Sequence, residues 1–144
     1  MNPLALDTDV LVGWAHAGAR RHRESRRLVE REIGQLGGRL GLTPQVVFEL
    51  LRVVTDPRRF EEPLSMEEAG ELVRQLWGSP EVDRIPSSPR VVPHTLELLR
   101  THRLGRKRIF ATALAATLEL AGIRRLATWN AGDFEGFEFL ELVQ

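Results

Sequence analysis

Apolar residues recur along this chain in two rhythms. Short runs such as "LAL" at 4–6, "LGL" at 40–42 and "RLATW" at 125–129 read as strands, and between them lie longer stretches with apolar positions three and four apart. Residues 4–7 predict a first strand with Asp7 at its carboxyl end, and 19–34 an exposed helix closed by Gly37-Gly38. A second strand covers 39–42. Thr43 has the character of an N-cap with Pro44 in the first helical position of "PQVVFELLRVVTD". Ser65 and Glu68 have capping-box spacing for a helix over 66–77.

Further along, 79–90 carries three prolines and three serines and reads as a surface connection, "VVP" at 91–93 as a strand, and 94–104 as an amphipathic helix. "IFATALAATLELAG", 109–122, is apolar on nearly every face and predicts a buried helix stopped by Gly122. A strand over 124–129, the turn "NAGDF" and an alternating "FEFLEL" complete the chain. Strands alternating with helices predict an α/β fold around a mostly parallel sheet of about four to five short strands. Ligands of such folds bind beyond the carboxyl ends of the strands, which puts Asp7 and the 130–133 turn at one rim.

With 144 residues, 42% hydrophobic and 28% charged, the chain predicts one globular domain over 1–144. No apolar run approaches the ~20 residues of a membrane span, and no signal-peptide pattern opens the chain, so the expected location is cytoplasmic. The absence of cysteine excludes disulfides and thiolate zinc sites. Twenty cations balance twenty anions, so no global field draws the chain to nucleic acid, yet 20–31 and 100–108 are basic and 61–71 acidic. Lys107 is the single lysine; arginine, which pairs bidentately with phosphate, supplies every other cation. The basic stretches are either solvated helix faces or a phosphate-binding flank, with Arg20, Arg21, Arg106 and Arg108 the candidates.

Two carboxylates inside "LALDTDVLVGW" demand an explanation, because an unpaired charge in apolar surroundings costs several kcal/mol. A helix N-cap accounts for Asp9 more readily than for Asp7. Glu49 borders the apolar stripe of Val46, Leu50 and Val53, a place also open to a snorkelling surface residue. Thr128, Asn130 and Asp133 fall in the turn after a strand, where such residues also serve backbone hydrogen bonds. All three groups suit the same rim. Converging carboxylates are best explained by a divalent cation, and oxygen ligands favour Mg²⁺ or Mn²⁺ over zinc. No histidine pair has the HExxH spacing.

These residues resemble the PIN-domain nucleases, in particular the VapC-type toxin ribonucleases of toxin–antitoxin pairs. "LDTDVLV" is similar to the opening aspartate motif, "TPQVVFELLRVVTDPRRF" to the glutamate helix and "IFATALAATLELAGIRRLATWNAGDFEGF" to the closing block. The resemblance implies a three-layer α/β/α domain and an endoribonuclease activity with RNA as substrate. It matches Asp7, Glu49 and Asp133 to the acids that hold Mg²⁺ or Mn²⁺, and Asp9, Thr128 and Asn130 to the polar residues around them. It further implies a homodimer and a VapB-like antitoxin, for which the Leu64, Leu72, Leu76 and Trp77 surface is the expected dock. One position departs from the pattern. Where the family reads Ile-aromatic-Asp, this chain has Ile109-Phe110-Ala111, so a third acid is missing. Natural degeneration and a deliberate Asp-to-Ala replacement both produce this, and alanine is the residue an experimenter would choose. Two other readings compete: a catalytically inert module that holds RNA or a partner, and a haloacid-dehalogenase-type phosphatase with Asp7 as nucleophile. The phosphatase lacks its downstream acidic pair, since no Asp-Asp follows Lys107.

Overall fold

The computed structural model describes residues 2–144. Five three-residue strands, β1 (Leu4–Leu6), β2 (Leu40–Leu42), β3 (Val82–Arg84), β4 (Arg125–Ala127) and β5 (Glu141–Val143), form one sheet in the order β3-β2-β1-β4-β5. Every pairing is parallel, with Leu4 opposite both Leu40 and Arg125. Helices α1 (Thr8–Ala15) and α2 (His22–Glu30) connect β1 to β2, and α3 (Pro44–Val54) and α4 (Met66–Trp77) connect β2 to β3. Helices α5 (Val91–Thr101) and α6 (Ile109–Leu120) carry the chain back across the sheet to β4. Parallel crossovers are right-handed, so reversing the direction of travel puts α1–α4 on one face and α5–α6 on the other. The result is the three-layer α/β/α arrangement expected from the sequence.

The apolar runs supply the centre of the core: Leu4, Leu6, Leu42 and Leu126 on the strands, with Val10, Leu11, Val46, Leu50, Leu114 and Leu118 from the helices, are all fully buried. Gly41 in β2 leaves room for Ile85: a Cβ there would lie 2.8 Å from Ile85 Cδ1, and the isoleucine tip would have to shift. The local signals at two helix starts hold: Thr43 accepts from Val46 N at 3.3 Å ahead of Pro44, and Ser65 and Glu68 exchange both capping-box bonds. Each such cap contributes on the order of 1 kcal/mol.

Four readings need correction. "VVP" is not a strand but the first turn of α5; Pro93 is tolerated there because first-turn N–H groups have no intrahelical partner. The 79–90 connection contains edge strand β3, which has one buried apolar residue and is held by its backbone ladder to β2. The single helix expected over 19–34 is α2 followed by a π-helical turn over Arg31–Gln35. The last strand is confined to Glu141–Val143, and the alternation of "FEFLEL" comes from turns that bury Phe137 and Leu140. On the 64–77 surface Leu76 is buried, whereas Leu64, Leu72 and Trp77 pack against the core and stay partly exposed, and Met66 is largely exposed.

Candidate active site

All five strands point the same way, so the residues following β1, β2 and β4 emerge at one edge. The chain leaves β1 toward β2 and leaves β4 toward β5, in opposite directions, which opens a crevice between β1 and β4. A cleft of about 760 Å³ lies there. Asp7, Asp9, Glu49 and Asp133 all line it, as do Asn130 and Ala111.

Asp7 is the N-cap of α1 and Asp9 sits in the helix's first turn, reversing the order expected from the sequence. The Asp7 carboxylate accepts from Thr8 N on Oδ1 and from the Thr128 hydroxyl on Oδ2, both at 2.8 Å. Thr128, fully buried at the end of β4, accepts in turn from Asn130 N at 3.0 Å. Thr8 Oγ1 reaches across to donate to Glu49 Oε2 at 3.3 Å, which ties α1 to α3. Burial is the main influence raising the Asp7 pKa, and the charges of Glu49 and Asp133 push it the same way against the two hydrogen bonds.

Asp9 Oδ2 accepts from Trp129 N and Asn130 Nδ2, both at 3.0 Å, whereas its Oδ1 is buried and unpartnered. A specific packing contact fixes the tryptophan. Trp129 Nε1 donates to the buried Ser25 Oγ at 3.0 Å, and Ser25 fits because residue 13 is glycine: a Cβ there would meet Ser25 Oγ at 2.2 Å. Burial, and after it the Asp7 charge, push the Asp9 carboxyl up to about 7 from 3.8. The folded state therefore holds this proton more tightly than the unfolded chain does. The associated stability is fully present below pH ~4 and is lost as pH rises through 7. In metal-free protein, Asp9→Asn is expected to gain roughly 1–3 kcal/mol over the parent near pH 8 and about a third of that near pH 5, where the unfolded carboxyl is already ionised and the folded one is not. The upper bound is about three pKa units at ~1.4 kcal/mol each, reduced by solvent at the cleft mouth. Urea unfolding at the two pH values measures it, and an equal gain at both contradicts a burial-raised carboxyl.

Arginines rim the acids. Arg20 and Arg21 line the cleft on one side, with the Arg21 guanidinium 5.0 Å from the Trp129 ring centre. Arg106 and Arg108 do not line it. Arg108 is held elsewhere, donating to the Glu135 carbonyl at 2.9 Å and lying 5.5 Å from the Phe137 ring. The three residues Arg106–Arg108 form a 3-10 turn, and the member that lines the cleft is Lys107. Sequence reasoning also missed Arg52, Arg59 and Phe110 on the cleft wall. Arg52 was within reach of it: three residues after Glu49 on a helix, it shares that glutamate's face.

The donor set is entirely hard oxygen, with one buried carboxylate oxygen lacking any partner, and so fits a hard divalent cation. Among the described residues, no three His, Cys, Asp or Glu side chains lie close enough together to hold a metal ion as they stand. Also among them, no helix is long and apolar enough to cross a membrane.

Comparison with known proteins agrees with this architecture. A profile of the PIN domain family matches residues 4–137, and the chain belongs to that family. A VapC ribonuclease of Mycobacterium bovis and Ribonuclease VapC43 of Mycobacterium tuberculosis are each 36% identical to it over 87 residues, 60% of this chain. The match spans 58% of the length of those curated relatives. Among solved structures, the sarcin-ricin-loop-cleaving toxin VapC20 of M. tuberculosis superposes with a TM-score of 0.70 at 16% identity, covering 92% of this chain and 95% of its own. The toxin–antitoxin complex from Klebsiella pneumoniae gives 0.65 at 15%, covering 98% and 96%. At those identities the likeness is one of fold.

Proposed function

We propose that this chain is a VapC-type endoribonuclease toxin that depends on Mg²⁺ or Mn²⁺, weakened here by Ala111. The observation that carries the reading is the convergence of Asp7, Asp9, Glu49 and Asp133 in one arginine-rimmed cleft at the carboxyl edge of a parallel sheet. Mutually repelling carboxylates without a cation lower stability, so the arrangement needs a purpose. Asp7, Glu49 and Asp133 would hold the ion. When bound, it supplies an activated water and offsets charge on the scissile phosphate. Thr128 and Thr8 fix the Asp7 and Glu49 carboxylates through their hydroxyls, and Asn130 fixes Asp9. Arg20, Arg21, Arg52 and Arg59 line the cleft and are suited to the RNA backbone.

The curated relatives' names and the toxin–antitoxin neighbour support an antitoxin partner for this reading, and a VapB-like antitoxin, a homodimer and a cytoplasmic setting belong to it as proposals. Ala111 gives the inert RNA-binding module its one specific argument, the missing acid. Membership of the PIN family sets the phosphatase aside.

RNA binding is expected to weaken as salt rises, because each phosphate the protein neutralises releases condensed counterions. Arg20→Ala combined with Arg59→Ala should flatten the log–log salt slope by roughly 0.7 for every phosphate no longer neutralised. Fluorescence anisotropy across a salt series checks this, and an unchanged slope removes these arginines from the interface.

A further inference from the structure

Phe110 is 74% exposed, although it opens a helix whose later residues are buried. Burying a phenylalanine contributes about 1.5–3 kcal/mol, and this one forgoes most of that gain. Isolated exposed apolar residues are ordinary on protein surfaces. Phe110 differs in its surroundings, because its side chain belongs to the wall of the acid cleft. Its backbone is pinned: Gln45 Nε2 donates to the Phe110 carbonyl at 3.2 Å and to Glu49 Oε1 at 3.3 Å, so one amide links the phenylalanine to a cleft carboxylate. Two cations line the same cleft, Lys107 three residues before Phe110 and Arg52 three residues after Glu49. Among the described residues neither forms an ion pair, whereas Arg21, Arg39, Arg74, Arg100 and Arg125 do. An exposed aromatic ring in the same arginine-rimmed cleft as unpaired cations has the chemistry of a single-strand platform: the ring takes a base, the cations take phosphates.

We propose that Phe110 stacks against a nucleobase of single-stranded RNA while Lys107 and Arg52 hold the phosphates beside it. The inference rests on the nuclease reading and adds to it the residue that grips an unpaired base, since bases paired in a duplex are already stacked and out of reach. Aromatic stacking is tolerant of sequence, so the platform grips a base without selecting it.

The test uses the chain with Ala111 in place, which separates binding from cleavage. Anisotropy is measured with a short fluorescein-labelled single-stranded RNA and with a strand of the same length that lacks bases at internal positions. Phe110→Leu keeps the apolar volume and removes the π-face; Phe110→Trp keeps the platform. The expected result is about a tenfold loss of affinity for base-bearing RNA in Phe110→Leu, no change toward the abasic strand, and retention of the preference in Phe110→Trp. If Phe110→Leu weakens both strands equally, or neither, the platform is wrong. Sedimentation velocity on the same proteins covers the competing use of the ring. A change in oligomeric state without a change in base preference assigns it to a contact with a second copy and overturns the proposal. Parent protein that binds both strands equally well sinks this inference alone, whereas parent protein that binds neither sinks the nuclease reading with it.

Discussion

Replacing Ala111 by aspartate is expected to raise RNA cleavage by at least about 10²-fold, equivalent to ~2.7 kcal/mol off the barrier. Ala111 is the third residue of α6, half-buried, packed against the core and part of the cleft wall. A carboxylate in the first turn of a helix gains about 0.3–1 kcal/mol from the backbone dipole. In metal-free protein that gain is opposed by repulsion from Asp7, Glu49 and Asp133, so the added charge becomes useful when a cation is present. Ala111→Asp should therefore bind Mn²⁺ more tightly than the parent, and its melting temperature should rise more on Mn²⁺ addition. Expressed without an antitoxin, it should arrest growth where the parent is tolerated. Equal cleavage and equal Mn²⁺ affinity for the two proteins would show that residue 111 is not the place of the missing acid.

The second large effect lies beneath the site. Glu32, in the π-helical turn, has a side chain only 3% exposed and receives both terminal nitrogens of Arg125 at 2.8 Å. The pair joins the connection between β1 and β2 to the first residue of β4, the strand that delivers Thr128 and Trp129 to the cleft. Removing one partner of a buried pair strands the other charge, which costs about 3–5 kcal/mol. Arg125→Ala is expected to destabilise the protein by that amount in urea unfolding, a large fraction of the ~5–15 kcal/mol typical of a domain. Arg125→Ala combined with Glu32→Gln should recover part of the loss, because the stranded charge is then gone. A loss below about 1 kcal/mol in the single variant contradicts a structural role for the pair.

Where the signal was local, the sequence was a sound guide. Thr43-Pro44 and Ser65…Glu68 mark helix starts because their hydrogen bonds close within four residues. The apolar runs of β1, β2 and β4 mark central strands because both faces of a parallel sheet are covered. β3 was hidden because an edge strand is specified by the neighbour it pairs with, here the ladder to β2, and its own residues are mostly polar.

Much the same division holds at the cleft. Asp7, Asp9, Glu49 and Asp133 could be singled out as carboxylates at the ends of elements, and the structure places all four on one wall system. Which aspartate caps α1 depended on where the strand stopped, a one-residue distinction that periodicity cannot make. The unpartnered Asp9 Oδ1 and the chain from Ser25 through Trp129 to Asp9 exist only once α2 is packed against β4. Arg108 read as a cation for RNA and is instead engaged by Glu135 and Phe137, partners 27 and 29 residues away in sequence. Charge runs indicate how many cations are near a site, and tertiary contacts decide which of them face it.

The most direct measurement of the central claim is cleavage of a labelled RNA by Ala111→Asp protein in Mn²⁺ and in excess chelator, alongside the same protein carrying Asp7→Asn. The account predicts cleavage in Mn²⁺ that falls by at least about 10²-fold with chelator and by a similar factor with Asp7→Asn. Cleavage that persists at full rate in chelator, or that is indifferent to Asp7, would contradict a metal-dependent nuclease centre at this cleft.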